Sequence, residues 1–187
     1  MTDHESDDVL VAHAGRFGGQ SRKIAEAMAE QLRAEGVGAT VVDLASGEPA
    51  GTVALTGRRG IVLVASVQYG RFSKALRRLV ARRRSELDAA PTMFVTVSLT
   101  ARNAEKRDPA VHSYTRKFLE ESGWSPSRTE VVAGALHYPS YHWWDRKAIQ
   151  LIMRITDGPT DPTLDIEYTD WDQVRAAATA FASAVKG

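Results

Sequence analysis

Cysteine is absent from all 187 residues of this chain. Its absence excludes disulfide frameworks, thiolate metal sites, thiol nucleophiles and cysteine-linked cofactors. An excess of one charge is also missing, since 24 Lys and Arg stand against 23 Asp and Glu. A general nucleic-acid binder is usually strongly basic, so no nucleic-acid partner is expected. No apolar run approaches the roughly 20 residues that span a bilayer. The opening MTDHESDD is acidic and polar, the reverse of a secretory signal. These absences point to a cytoplasmic protein and leave open a peripheral position on the inner face of the cell membrane. The histidines (His4, His13, His112, His137 and His142) are scattered. His137 and His142 lie close in sequence but are joined by no carboxylate cluster, so no metal site is expected.

What is present suits one globular domain with a sizeable core, 43% apolar and 25% charged. Met1–Asp8 reads as a disordered tail, and residues 9–187 as the domain. Apolar, β-favouring runs predict strands at Val9–Ala14, Ala39–Leu44, Ile61–Ala65, Met93–Leu99 and Glu130–Leu136. Between them fall helical patterns. Ile24, Met28 and Leu32 make one stripe, closed by Gly36. A basic helix is predicted over Phe72–Leu87, and another helix near Val111–Ser122. Ala45–Arg59 and Thr100–Arg107 read as loop. His137–Tyr168 is a long insertion with a helix near Trp143–Ile155. The final helix runs from Asp170, whose spacing to Gln173 resembles a capping box. Alternating strands and helices imply an α/β three-layer sandwich with a parallel sheet. With a glycine-rich loop after strand one, the expected strand order is the flavodoxin-like 2-1-3-4-5.

That order brings three loops to one pocket beyond the carboxyl ends of strands one, three and four. The first, Gly15-Arg16-Phe17-Gly18-Gly19-Gln20-Ser21, aims a helix N-terminus and unpaired backbone N–H groups at one point, a setting for phosphate. It lacks the lysine of a nucleoside triphosphatase loop and the spacing of a dinucleotide fold. A tight βα turn with no ligand is the alternative. The second loop, Ser66-Val67-Gln68-Tyr69-Gly70, offers Tyr69 to flank a flat ring, or simply to close a hydrophobic turn. The third begins at Ser98.

Longer segments are more selective. GQSRKIA (Gly19–Ala25), ASVQYG (Ala65–Gly70), ARNAEKRDP and SYTRKFL (between Ala101 and Leu119), AGALHYPSYHWWDR (Ala133–Arg146) and YTDW (Tyr168–Trp171) resemble the menaquinone-dependent protoporphyrinogen IX dehydrogenases. The resemblance implies a flavodoxin fold and FMN in the three loops, Gly15–Ser21, Ser66–Gly70 and Ser98-Leu99-Thr100-Ala101-Arg102. It implies oxidation of protoporphyrinogen IX in haem biosynthesis, with electrons passed to a membrane quinone (menaquinone). The chemistry would then sit on FMN, with no protein nucleophile and no catalytic side chain. One departure stands out. The family's first loop usually brings several hydroxyls to the phosphate, and here only Ser21 does so; Arg16 either substitutes as a charge-assisted donor or points into solvent.

The insertion suits a membrane interface or a hydrophobic, carboxylated ligand such as a large apolar macrocycle bearing two propionates; the alternative is a helix packed on the domain with its charges solvated. Arg102, Lys106, Arg107 and Arg146 are candidate propionate partners, and Tyr138, Trp143 and Trp144 candidate apolar contacts. Seven basic residues and no acidic one lie in Arg71–Arg84. They suit an anionic membrane surface, or else form a solvated helix face. A homo-oligomer is also compatible. Two other roles fit the same scaffold: an electron carrier or quinone reductase, and a flavin-free binding module.

Overall fold

The computed structural model of the chain describes residues 7–15, 19–44, 53–137, 142–155, 158–161 and 163–187. Its central sheet holds β1 (Val9–Ala14), β2 (Ala39–Asp43), β3 (Gly60–Ser66), β4 (Thr92–Ser98) and β5 (Arg128–Ala133). They run parallel in the order β2-β1-β3-β4-β5. β1, β3 and β4 are buried along almost their whole length, as central strands covered on both faces must be.

The two-residue period of these strands divides the core. Val9, Val11, Val62, Val64, Met93 and Val95 point to one face. There they meet α1 (Gln20–Ala34) and α6 (Trp171–Lys186) through Ile24, Met28, Leu32, Val174 and Phe181. Leu10, Ala12, Leu63 and Phe94 point to the other face. They pack against α2 (Lys74–Arg82), α3 (Arg84–Asp88) and α4 (Ser113–Ser122). Phe94 sits among Phe72, Phe118 and Trp124, with ring centroids 5.3, 5.3 and 5.5 Å away, the spacing of edge-on and tilted aromatic packing.

Several boundaries differ from the sequence expectation. The basic helix over Phe72–Leu87 is two helices broken at Arg83, whose guanidinium turns back to the Val53 carbonyl (3.2 Å) and pairs with Glu86. Ser73 caps α2, so Phe72 stays outside it. The run Glu130–Leu136 also splits. After Gly134 the chain leaves the main sheet as β6 (Ala135–His137) and pairs antiparallel with β7 (Asp165–Glu167). The loop over Thr100–Arg107 is largely two 3-10 turns, Leu99–Arg102 and Ala104–Lys106. At the other end of the chain, Asp7 and Asp8 are no frayed tail: Arg59 and Arg58 pair with them, and the Thr40 hydroxyl donates to Asp8 at 2.5 Å.

The insertion helix α5 (Trp143–Ile155) forms where its spacing predicts. Met153, fully buried, and Ile149 lie against Leu99, Leu136, Leu164 and Tyr168. Trp143, Trp144, Leu151 and Ile155 are exposed. Asp170 caps α6 by accepting the Gln173 N–H at 3.1 Å. The Gln173 side chain does not complete a capping box; its amide donates instead to the Val131 carbonyl at 3.1 Å.

Candidate functional site

β1, β3 and β4 end at the same edge of the sheet, and there their outgoing loops enclose a cleft with about 840 Å³ of empty space, part of it open to solvent. This is the crevice at which α/β sheets of this order bind ligands.

Its first wall is the start of α1. Gly19, at φ 67°, is the residue preceding the helix and gives it no side-chain cap. The N-terminal N–H groups of a helix so begun keep their positive end for a ligand. Gly15 is required by close approach: a Cβ there would lie 2.7 Å from Ser21 Oγ and 3.1 Å from Ser66 Oγ. Ser21 and Ser66 are hydrogen-bonded to each other across this point, which joins the first loop to the second. Gln20 is 4% exposed and donates through Nε2 to the Thr169 hydroxyl at 2.8 Å. Its Oε1 is buried with no hydrogen-bond partner among the described residues, although Gln20 lines the cleft. A donor from a bound molecule would satisfy it.

The second wall is a two-residue hairpin. Gln68 and Arg71 exchange backbone bonds of 2.8 and 3.0 Å around Tyr69 (φ 48°) and Gly70 (φ 73°). Two consecutive positive φ values make a type I′ turn, for which Asn-Gly is the favoured pair and a bulky aromatic is costly. Tyr69 is half-exposed at the rim, and its hydroxyl donates to the Asp145 carboxylate at the start of α5. Ser98, Leu99 and Thr100 form the third wall.

Most of the residues singled out in the sequence therefore converge: Gln20, Ser66, Val67, Gln68, Tyr69, Gly70, Ser98, Leu99 and Thr100 line the cleft, with Gly15, Gly19 and Ser21 beside it. Others point elsewhere. Ala101 is fully buried against Val131 and Ala133. Arg102 is held at the Leu99 carbonyl (3.1 Å) and Met153 Sδ (3.9 Å). Arg107 donates to the Ala101 carbonyl (3.0 Å) and pairs with Asp170 (3.3 Å). Lys106, Trp143 and Trp144 are exposed. Arg16, Phe17, Gly18, Tyr138 and the Arg146 side chain lie outside the described residues. The sequence reading missed Val97, Tyr114, Gly134, Ala135 and Ile149, which complete the lining. The signal for three of them lay in the selective segments, since Tyr114 stands in SYTRKFL and Gly134 and Ala135 in AGALHYPSYHWWDR.

Two buried imidazoles flank this edge. His13, 3.7 Å from Asp43, has its pKa lowered by burial, which outweighs the carboxylate. His112, behind Ser98 and Thr100, is lowered by burial and by the charge of Lys106. No group of three or more His, Cys, Asp or Glu suited to a metal occurs among the described residues.

These features fit a flavin. The uncapped helix start and the Gly15 approach suit its phosphate-bearing tail. The apolar walls of Val67, Leu99 and Ile149, with the unpartnered Gln20 acceptor, suit a flat heteroaromatic ring bearing N–H groups.

Comparison with known proteins agrees. A family model described as a flavodoxin domain matches residues 10–163. The chain is 43% identical to a Leishmania major protein named protoporphyrinogen IX dehydrogenase [quinone], over 88% of this chain and 71% of that one. It is 40% identical to the protein of the same name from Escherichia coli K12, over 83% and 84% of the two chains. Among solved structures, a Pseudomonas aeruginosa flavodoxin variant superposes with a TM-score of 0.55 at 14% identity, covering 96% of this chain and 99% of the other. An archaeal flavodoxin gives 0.51 at 12% identity over the same shares. The structural likenesses bear on the fold.

Proposed function

The chain belongs to the flavodoxin-domain family and, within it, to the protoporphyrinogen IX dehydrogenases, and we propose that it oxidises protoporphyrinogen IX to protoporphyrin IX in haem biosynthesis, with FMN as cofactor and a membrane quinone, menaquinone, as electron acceptor. The observation that carries this reading is the position of α5. A plain electron carrier needs a flavin site open to a protein partner. Here Ile149 of α5 lines the cleft, and Tyr69 reaches across to Asp145, so an amphipathic helix forms one side of the mouth. Its exposed Trp143 and Trp144 offer a shelf for a large apolar macrocycle.

FMN bound in this cleft supplies the capacity to take up a hydride equivalent and pass its electrons on. The chain supplies the rest. Gly15, Gly19 and the first turn of α1 hold the phosphate, together with the loop residues Arg16, Phe17, Gly18 and Ser21. Ser66 to Gly70 and Ser98 to Thr100, which line the cleft, would hold the ring, with Tyr69 at the rim. No protein nucleophile takes part.

Of the basic residues, Lys106 is exposed and makes no ion pair among the described residues, so it is assigned to a propionate. Arg102 and Arg107 hold backbone carbonyls and are assigned to bracing the third loop, not to the substrate. Tyr138 and Arg146 stay assigned to the substrate by sequence. The basic face of α2 meets anionic lipid, which brings the cleft to the quinone. Contact with a second copy of the chain is compatible with this arrangement.

Anaerobic mixing of the FMN-loaded protein with protoporphyrinogen IX tests the reading. The flavin absorption is expected to bleach and to return on addition of a menaquinone analogue. A flavoprotein that stays yellow with porphyrinogen is an electron carrier or a quinone reductase. An apoprotein that leaves FMN fluorescence unquenched at micromolar concentration is a flavin-free module.

A further inference from the structure

Behind the third wall of the cleft lies a continuous chain of side-chain hydrogen bonds. Ser98 Oγ is 2.9 Å from Thr100 Oγ1, Thr100 Oγ1 is 3.2 Å from His112 Nε2, and His112 Nδ1 is 2.7 Å from Thr115 Oγ1. The Thr115 hydroxyl ends the chain by donating to Thr96 Oγ1 at 2.8 Å. Ser98 and Thr100 line the cleft, while His112, Thr115 and Thr96 are buried. The chain therefore has one open end.

Its polarity follows from the hydrogens available. With the Thr115 hydroxyl hydrogen directed to Thr96, the 2.7 Å contact is satisfied by the tautomer whose Nδ1–H donates to Thr115 Oγ1. In the other tautomer a bare Nδ1 accepts the Thr115 backbone N–H at 3.4 Å, capping α4, and the shorter 2.7 Å contact is left without a hydrogen. With Nδ1 protonated, Nε2 carries the lone pair and accepts from the Thr100 hydroxyl. Thr100 in turn accepts from Ser98. Every hydrogen from the cleft inward is aimed at His112 Nε2.

We propose that His112 is the proton acceptor at the inner end of a Ser98–Thr100 hydroxyl relay, taking one proton from the cleft in each two-electron step and returning it when the quinone is reduced. This rests on the function proposed above, and it provides the general base that no residue in direct reach of the cleft supplies.

The step balances. Each two-electron oxidation of a porphyrinogen removes a hydride equivalent from a bridging C–H and a proton from a pyrrole N–H, and leaves a new double bond between ring and bridge. A bound flavin would supply the acceptor for the hydride equivalent. The pyrrole proton goes to Ser98 Oγ as Ser98 passes its own hydrogen to Thr100 and Thr100 passes its own to Nε2. When a quinone then takes up the hydride equivalent, the stored proton leaves by the same hydroxyls, and the quinone becomes a quinol. Two hydrogens leave the porphyrinogen and two arrive on the quinone.

The surroundings suit storage followed by release. Of the titratable groups, Lys106 of the second 3-10 turn and Tyr114 of α4, its ring centroid 5.7 Å away, face the imidazole. β4 presents the Thr96 and Ser98 hydroxyls. The contact of Nε2 is the Thr100 hydroxyl, and burial with the charge of Lys106 keeps the imidazole pKa below the ordinary histidine value.

Three measurements test this. In the 15N-labelled apoprotein at neutral pH, the His112 ring is expected to show a bare Nε2 and a protonated Nδ1; hydrogen on Nε2 would overturn the relay. In anaerobic single-turnover mixing with porphyrinogen, the wild-type bleaching rate is expected to fall on the acid side as Nε2 becomes occupied. His112→Gln, and separately Thr100→Val, which keeps the imidazole, should each bleach about 100-fold more slowly and lose that acid limb. Affinity for FMN should stay within about threefold in His112→Gln, as His112 is buried behind the binding surface and does not line it. Variants that keep the acid limb and a near-normal rate would sink the relay and leave the proposed function standing. A wild-type flavoprotein that porphyrinogen fails to bleach would sink that function, and the relay's part in it.

Discussion

At the scale of single residues, Tyr69 is the place where local preference and the observed structure disagree. A type I′ turn at Gln68–Arg71 favours Asn before Gly, yet a bulky aromatic stands there at φ 48°. Strain of this kind, on the order of 1–3 kcal/mol, persists where a side chain is wanted for another purpose. Tyr69→Asn is therefore expected to leave the urea midpoint unchanged or raise it, while FMN affinity falls by about tenfold, equivalent to about 1.4 kcal/mol. Equilibrium unfolding and flavin-fluorescence titration check the two halves. A variant that binds FMN as well as wild type would reduce Tyr69 to a turn residue.

The buried histidines give a second prediction. His13 and His112 both have pKa values lowered by burial from the ordinary 6.5, so the folded chain binds fewer protons than the unfolded one. Their neutral forms fit the fold fully above about pH 6.5. As pH falls from there towards the folded-state values, stability drops, with a limiting slope of about 1.4 kcal/mol per pH unit for each group. Urea midpoints at pH 7.5, 6.5 and 5.5 should decline, and His13→Gln should flatten part of the decline.

At the scale of elements, legibility followed burial. β1, β3 and β4 are continuous apolar runs bounded by Gly, Pro or Ser, and α1, α5 and α6 have clean stripes, so their positions could be read. β6 could not be separated from β5, because Val-Val-Ala-Gly-Ala-Leu reads as one strand. Only tertiary pairing, with the Gly134 carbonyl accepting the Tyr168 N–H at 3.1 Å, shows where the chain departs. β7, three residues with polar ends, carries no pattern to read. The break at Arg83 was hidden because Leu76, Leu79, Val80 and Leu87 keep one stripe across it. In the site, Ala101 and Arg102 were misplaced for a related reason. An extended loop would have carried them along the cleft, whereas a 3-10 turn of about three residues swings them into the core and under α5.

The hold on α5 is correspondingly narrow, since Met153 is its only fully buried side chain among the described residues. Met153→Ala should cost about 2–4 kcal/mol and spend it locally, loosening α5 before the sheet. Amide hydrogen exchange should speed up over 143–155 and stay unchanged in β1 and β3. A uniform change across both would place α5 within the cooperative core.

At the scale of the whole molecule, the near-neutral charge conceals a division of labour. Arg22, Arg58, Arg59, Arg84, Arg116, Arg128 and Arg175 each pair with a carboxylate. Arg71, Lys74, Arg77, Arg78 and Arg82 are exposed and make no ion pair among the described residues. The last four share one face of α2 and line a groove against Phe118 of α4. On another side of the cleft, α5 turns Trp143, Trp144, Leu151 and Ile155 outward. No helix of the described residues is long and apolar enough to cross a membrane. For the proposed meeting with a membrane quinone two attractions are available, charge from α2 and burial of the α5 aromatics. They differ in response to salt. Each cation near an anionic surface contributes about 1 kcal/mol at physiological salt, and raising salt to about 1 M shrinks the screening length to about 3 Å, while apolar insertion is little affected. Co-sedimentation with phosphatidylglycerol-rich vesicles is expected to be strong at 0.1 M salt and to fall at least tenfold at 1 M. Arg77→Glu with Arg78→Glu should lower it by a similar factor without altering FMN affinity. Equal binding to neutral phosphatidylcholine vesicles, indifferent to salt, would instead assign the contact to Trp143 and Trp144 and leave the α2 cations to solvent.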